Sequence, residues 1–266
     1  MIEILRLLNY RQLIYSFTKR EIQLRYKSSY LGILWSFVTP LFMLLIYTYF
    51  FSVVFQNKWG SGADDGGKFQ FAIFLFCGLT VFNFFSDVIN RAPSLIISNT
   101  NYVKKVVFPI EILPVTSIGS ALFHMVISLV LLLISVVICY GTIHWTIVLL
   151  PIVLIPLILL SLGLSWFFAA LGVFVRDVTQ FLGLAVQALM FLSPVFYPLS
   201  IIPERLWFIY KLNPLTGIIE NMRNILITGE MPEWSSIGIS FLLGLVVSIL
   251  GYVWFRKLRG GFADVL

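Results

Sequence analysis

Six long apolar runs constrain this chain more than any other feature. Runs of about 20 apolar residues match the roughly 30 Å hydrocarbon core of a bilayer and are longer than ordinary core helices. The six runs occupy residues 31–55, 69–90, 110–140, 147–175, 181–199 and 237–255. We therefore expect an all-α integral membrane protein with six transmembrane helices.

The positive charges are distributed unevenly between the segments that connect these runs. If the N-terminus lies in the cytosol, the inside segments carry Arg6, Arg11, Lys19, Arg20, Arg25, Lys27, Arg91, Lys104, Lys105, Arg176, Arg256, Lys257 and Arg259. The outside segments then carry only Lys58, Lys68, Arg205, Lys211 and Arg223. Because cytosolic loops of membrane proteins are enriched in Lys and Arg, this asymmetry predicts an even number of crossings with both termini in the cytosol.

The composition agrees with a membrane location. Apolar residues make up 59% of the chain and charged residues 11%, far from the averages of soluble domains. The net charge of +6 flanks the apolar runs, where it meets anionic lipid headgroups, so we expect no nucleic-acid partner. We expect one domain overall, with an N-terminal amphipathic segment over residues 1–30 and a transmembrane domain over residues 31–266.

The N-terminal segment is amphipathic and basic. Its apolar residues recur at near-helical spacing, and Lys and Arg lie between them. Such a helix lies in the membrane interface and does not cross the bilayer. It could serve only to set the topology, or it could form a surface for a cytosolic partner. The candidate interface residues are Arg20, Glu21, Arg25, Tyr26 and Lys27.

The cytosolic segment after the second run resembles a structured loop. Asp87 and Arg91 are four residues apart, so they can pair on one helix face. Pro93 then ends the run, because proline removes a backbone donor and clashes with the preceding turn. Residues 94–105 predict a short amphipathic helix with a polar break at residues 98–101.

The last outer segment, residues 200–234, is too long for a turn and too apolar for a solvated loop. Its two apolar halves, separated near Pro214, have the length of re-entrant helices. Glu220 and Arg223 lie three residues apart in the second half. They could be a surface pair of little energetic weight, or a functional pair in a partly buried outer vestibule.

No metal or cofactor site is expected. Asp64 and Asp65 are adjacent in a glycine-rich loop without further ligands, and His124 and His144 have no metal-binding partner at useful spacing. The chain also has no phosphate-binding loop of the form GxxxxGK[ST], so nucleotide chemistry would need another subunit.

Five segments in order resemble the ABC-2-type exporter permease family over almost the whole chain. The segments are KREIQLRYKSSYLGILWSFVTP at 19–40, FPIEILP at 108–114, VRDVTQ at 175–180, SPVFYP at 193–198 and NPLTGIIENMR at 213–223. Within that family the chain looks most like the permeases of bacterial polysaccharide exporters, of the O-antigen and teichoic-acid type.

The resemblance implies an ATP-driven export subunit in the bacterial inner membrane. It implies a homodimer bound to two copies of a separate ABC ATPase, which would bind ATP and Mg, and a lipid-linked polysaccharide as cargo. It also implies that the N-terminal segment and the cytosolic segment face the ATPase. The coupling residues would be Ser94, Leu95, Ile96, Ser98, Asn99, Asn101, Tyr102, Lys104 and Lys105. An outer gate would include Pro203, Arg205, Trp207, Pro214, Glu220 and Arg223.

A polysaccharide path needs faces that stack on sugars and sites that release them easily. The first and fifth runs are rich in aromatic residues and nearly free of charge, so we expect them to line the path together. Single aromatic residues could instead belong to the interfacial belt or face lipid. The candidate lining residues are Trp35, Phe42, Tyr47, Phe191, Phe196 and Tyr197.

Other functions remain open at this point. A multidrug or lipid exporter of the same architecture would share the coupling elements. A membrane glycosyl- or acyltransferase would need clustered acid and base residues near the membrane face, which the scattered carboxylates and isolated histidines do not supply. An ATP-independent channel would need no coupling segment.

Overall fold

The structure is a computed structural model that describes residues 9–27, 29–50, 67–104, 108–199, 202–203, 205 and 207–266. Within these residues the chain is helical, without strands. The helices, in chain order, are α1 Arg11–Tyr26, α2 Trp35–Thr48, α3 Gly67–Arg91, α4 Ser94–Ile97, α5 Thr100–Val103, α6 Ile112–Tyr140, α7 Leu150–Phe174, α8 Val178–Phe191, α9 Trp207–Leu212, α10 Pro214–Arg223, α11 Trp234–Leu258 and α12 Phe262–Val265.

Four of the described helices are long and apolar enough to cross a membrane. They are α3, α6, α7 and α11, with 25, 29, 25 and 25 residues. The first and fifth apolar runs form shorter helices: α2 and α8 have 14 residues each, or about 21 Å. The α8 helix ends before Ser193-Pro194, because a residue that precedes proline disfavours helical geometry.

The α3 helix is the central element of the bundle. Most of its length is buried, and it packs against α2, α6, α7, α8 and α10. Its middle carries Phe74 and Gly78, and its C-terminal end carries Asp87 and Arg91. Both candidate sites described below are therefore built on the same helix.

The α7 and α11 helices form the closest helix pair, and glycines allow it. A Cβ atom added to Gly163 would meet the backbone of Val247 and Ser248, and one added to Gly251 would meet the backbone of Gly163. A Cβ atom on Gly244 would lie 2.9 Å from the Pro156 carbonyl oxygen. Small residues let membrane helices approach in this way, and here they join two helices of the same chain.

Candidate functional site

The segment after α3 consists of two single helical turns, α4 and α5. The break lies at Ser98 and Asn99, whereas the polar residues predicted it over 98–101. The break is held by side chains that bond the preceding carbonyl groups. Ser98 Oγ donates to the Ser94 carbonyl at 2.8 Å, and Asn99 Nδ2 donates to the Leu95 carbonyl at 2.9 Å. These bonds satisfy acceptors that the end of a helix leaves free.

This predicted coupling segment is fixed to α7 on one side. Leu95 and Ile96 are buried in a cluster with Trp166 and Val173 of α7. A Cβ atom on Gly172 would meet the backbone of Pro93, so the segment lies directly on α7.

Burial divides the predicted coupling residues into two groups. Leu95 and Ile96 face the inside of this chain, so they position the segment and offer no surface to a partner. The exposed residues of the segment are Ser94, Ile97, Ser98, Asn101 and Lys104. Ile97 was not among the predicted coupling residues. It is an exposed apolar side chain among the exposed polar residues of this segment. Lys105 lies outside the described residues.

The α1 helix is joined to α5 by an aromatic cluster. The rings of Phe17, Tyr102 and Phe108 lie with centroids 4.7–5.3 Å apart. The Arg20 guanidinium donates to the Tyr102 hydroxyl and lies 5.7 Å from the ring centroids of both Phe17 and Tyr102. Any displacement of α5 would therefore act directly on α1.

A second contact joins α1 to the cytosolic end of α3 through charged groups. Arg25 donates to both carboxylate oxygens of Asp87, at 2.9 and 3.2 Å, and Arg91 pairs with Glu21. The predicted Asp87–Arg91 pair exists at 3.9 Å, but the stronger partners come from α1. Burial raises the pKa of Glu21, and the positive charge of Arg91 opposes that rise.

The α1 helix also lies close along α6. A Cβ atom on Gly119 would come within 2.8 Å of the Thr18 hydroxyl oxygen, so glycine permits the approach. The Tyr26 hydroxyl lies 3.3 Å from His124 Nδ1. Of the predicted interface residues, Lys27 is exposed and Glu21, Arg25 and Tyr26 contact other helices of this chain.

The predicted re-entrant region contains α9, with six residues, and α10, with ten. The Asn213 side chain begins α10: its Oδ1 accepts from the Leu215 amide at 3.0 Å, and its Nδ2 donates to Ser193 Oγ at 2.8 Å. Pro214 occupies the first turn, where its missing N–H costs nothing. The α10 helix, named the gate helix after the predicted outer gate, buries one apolar face against α3, α7 and α11.

Arg223 ends the gate helix and is 2% exposed. It donates to Glu220 Oε1 at 2.8 Å, to the Val195 carbonyl at 2.9 Å and to the Phe74 carbonyl at 3.3 Å. Its guanidinium carbon lies 3.5 Å from the centroid of the Phe74 ring. A Cβ atom on Gly78 would lie 2.9 Å from Arg223 Nη2, so that glycine makes room for the charge.

These contacts place Arg223 against the middle of α3. Phe74 and Gly78 are the eighth and twelfth residues of that 25-residue helix. An arginine at such depth is expensive in a bilayer and marks a functional position by default. The sequence spacing identified Glu220 and Arg223. It gave no signal for Phe74, which offers Arg223 its ring face and carbonyl group, or for Val195, which offers its carbonyl group.

The structure divides the other predicted gate residues. Pro203, Arg205 and Trp207 are exposed before or at the start of α9. Trp207 Nε1 donates to the Ile202 carbonyl at 2.9 Å, so this indole stabilises the local loop. These three residues do not join the buried contacts of Arg223.

The predicted path residues also fall into two groups. Trp35 and Tyr47 line one cavity between α1, α2, α3 and α6, whereas Phe42 is 60% exposed. The rings of Phe191 and Phe196 stack with centroids 5.8 Å apart, and the Tyr197 and Tyr210 hydroxyls lie 2.8 Å apart. Both α2 and α8 pack on α3, so within one chain α3 lies between the two groups.

Among the described residues, no group of three or more His, Cys, Asp or Glu side chains is placed to hold a metal ion.

Comparison with known proteins assigns the family. The ABC-2 type transporter family model matches residues 12–227, from α1 to the turn that follows the gate helix. An O-antigen export system permease protein of Myxococcus xanthus is 30% identical over 88% of this chain and 87% of its own length.

Two further relatives match at similar length. An O-antigen export system permease protein of Klebsiella pneumoniae is 26% identical over 94% of this chain and 93% of its own length. The polysialic acid transport protein KpsM of Escherichia coli is 28% identical over 89% of this chain and 90% of its own length. This multi-pass membrane protein belongs to the ABC-2 type transporter family.

Proposed function

We propose that this chain is the permease subunit of an ATP-driven ABC exporter that moves a lipid-linked polysaccharide out of the cytosol across the bacterial inner membrane. One observation carries the proposal: about nine-tenths of the chain aligns with permeases whose names specify O-antigen or polysialic acid as cargo. The polysaccharide cargo is favoured over a drug or a free lipid for this reason.

The partner is a separate ABC ATPase, which binds ATP and Mg. The exposed residues Ser94, Ile97, Ser98, Asn101 and Lys104 form the surface offered to it. Because this surface is fixed to α7 and joined to α1 through Tyr102, a movement imposed by the ATPase would reach the membrane helices. Two copies of this chain and two of the ATPase form the working exporter.

Contacts between helix ends support six crossings with both termini in the cytosol. Arg25 of α1 pairs with Asp87 at the end of α3, so α2 must cross the membrane to bring the chain to the start of α3. Arg259, after α11, pairs with Glu111 at the start of α6. The end of α11 therefore lies on the side where α6 begins, and α8 must cross for the chain to return there.

The gate helix forms part of an outer gate. It is too short to cross, at ten residues or about 15 Å, and its apolar face is covered by protein, which is the condition for irregular backbone at membrane depth. Arg223 holds its far end on α3 and on the turn after α8 through the carbonyl groups of Phe74 and Val195. Opening of the gate would move the other end of the gate helix, at Asn213, where α9 joins it.

The test is ATP hydrolysis by this chain co-purified with the ATPase encoded beside its gene, in lipid nanodiscs. We expect a stable complex whose ATP hydrolysis rises on addition of lipid-linked polysaccharide, and we expect Lys104→Glu to remove that rise. Stimulation by hydrophobic drugs instead would assign a drug exporter, and failure to form a complex would contradict the proposal.

A further inference from the structure

A cavity of about 380 Å³ lies between α1, α2, α3 and α6. It extends along α2 from Trp35 to Tyr47, a distance of about 18 Å. Its cytosolic end is bounded by the Arg25–Asp87 ion pair. The volume falls in the range of about 300–1,000 Å³ typical of small-molecule sites.

The lining of this cavity contains polar groups that the protein leaves available. Asn83 is exposed on α3, a helix that is mostly buried, and makes no side-chain hydrogen bond within the described part of the chain. His124 Nε2 is buried without a hydrogen-bond partner among the described residues. Thr39 is exposed to the same space.

These groups restrict what can occupy the cavity. Lipid tails cannot form hydrogen bonds. A polar group that has no hydrogen-bond partner away from water costs on the order of several kcal/mol of free energy. An occupant that carries donors and acceptors along its length would satisfy these groups. A hydrophobic drug or a polyprenyl chain would leave Asn83 and His124 unsatisfied.

Two further properties favour a sugar. Trp35 and Tyr47 present aromatic faces from the α2 side, and such rings combine an apolar face with a polar handle. The formal charges in the lining are those of Arg25 and Asp87, which pair with each other. An uncharged, polyhydroxylated ligand matches the absence of a net charge in this lining.

We propose that this cavity is a binding site for a short stretch of uncharged sugar residues of the exported glycan. Asn83, His124 and Thr39 form hydrogen bonds to the sugar hydroxyls, and Trp35 and Tyr47 stack on the rings. This inference rests on the proposed function and adds to it an uncharged stretch of the glycan as ligand and two residues, Asn83 and Thr39, that sequence reasoning did not single out. The site lies within one chain and extends along most of α2.

The experiment measures stimulated ATP hydrolysis of the complex in nanodiscs against the concentration of lipid-linked glycan, extracted from cells in which this gene has been deleted. For Asn83→Leu we expect the concentration for half-maximal stimulation to rise about tenfold, the loss expected for hydrogen bonds in a buried site. For Thr39→Val, which conserves side-chain shape, we expect a rise of about threefold.

Asn90→Leu is the matched control. Asn90 lies on the same helix two turns further on, is also exposed, and donates to Ser86 Oγ at 3.0 Å, but it does not line the cavity. We expect this variant to respond as the wild type does.

The outcomes separate the two proposals. A wild-type complex that the glycan lipid does not stimulate overturns the proposed function and this inference with it. A stimulated wild type whose response is unchanged in both Asn83→Leu and Thr39→Val overturns the cavity assignment alone. If the Asn83→Leu complex does not assemble, the isosteric Thr39→Val decides, with an unchanged response again overturning the assignment.

Discussion

Arginines hold other elements to α3 at two places, and the two differ in their access to water. At the cytosolic end the Arg25 side chain is 42% exposed and its partner Asp87 is 21% exposed. At the gate helix the Arg223 side chain is 2% exposed and bonds one carboxylate and two carbonyl groups. Both contacts pair an arginine with a carboxylate, but they differ in the free energy that is lost when they break.

This difference indicates which end can move easily. An exposed ion pair contributes about 0–1 kcal/mol because water screens it and the side chains lose freedom. Such a contact can break and re-form during each cycle of ATP hydrolysis. A buried charge cannot leave its partners without a cost of several kcal/mol, so we expect the Arg223 end of the gate helix to stay in place while the cytosolic contacts rearrange.

The largest effect is expected for Arg223→Leu. This change leaves Glu220 without its cation and removes the donor to the Phe74 and Val195 carbonyls. Breaking a buried ionic contact from one side costs about 3–5 kcal/mol. We expect a clear fall in the unfolding temperature of the detergent-purified protein and loss of export in cells that depend on this gene.

Arg205→Leu is the control for that experiment, because Arg205 is exposed on the same outer segment. It should change the stability by less than about 0.5 kcal/mol, as surface substitutions usually do. Equal effects of the two substitutions would remove the distinction between a buried and an exposed arginine on which the comparison depends.

Reversal of the Glu220 charge should have the next largest effect. In Glu220→Lys a second cation faces Arg223, whereas Glu220→Gln keeps an acceptor for the 2.8 Å hydrogen bond. We expect Glu220→Lys to impair export with the ATPase still bound. We expect Glu220→Gln to lower the free energy of unfolding by at most about 3 kcal/mol, the upper end of the range for a weakened hydrogen bond to a charged group. Export and co-purification of the ATPase are the two measurements, and normal export by Glu220→Lys would contradict a role in the gate.

Sequence reasoning reached these two regions to different depths. Periodicity and turn chemistry were enough to place the break at Ser98–Asn99 and to single out Glu220 and Arg223, because these signals are local. They could not show that Leu95 and Ile96 face α7 and that Asp87 pairs chiefly with Arg25, since both depend on contacts between distant segments. They also gave no sign of the open space beside Asn83, a polar residue in an apolar run that only packing could interpret.

An exchange of charges at the cytosolic contact should have a moderate effect. Arg25→Asp alone places two carboxylates together with Asp87, and we expect it to lower the stability by about 1 kcal/mol or less and to weaken the stimulation of ATP hydrolysis by substrate. The double variant Arg25→Asp with Asp87→Arg restores the pair and should recover most of that stimulation. A double variant as defective as the single one would show that the contact acts through other partners, such as Arg91.

The smallest effect is expected for Tyr102→Phe. This change removes the hydroxyl that accepts from Arg20 and keeps the ring that packs against Phe17 and Phe108. A hydrogen bond of this kind is worth about 0.5–1.5 kcal/mol, and because the Arg20 side of the bond is exposed to water we expect the lower end of that range. Substrate-stimulated ATP hydrolysis should fall by about twofold, measured beside Tyr102→Ala, which also removes the ring contacts and should reduce the stimulation further. If Tyr102→Phe were as defective as Tyr102→Ala, the hydroxyl bond and not the aromatic cluster would be the contact that joins α1 to the coupling segment.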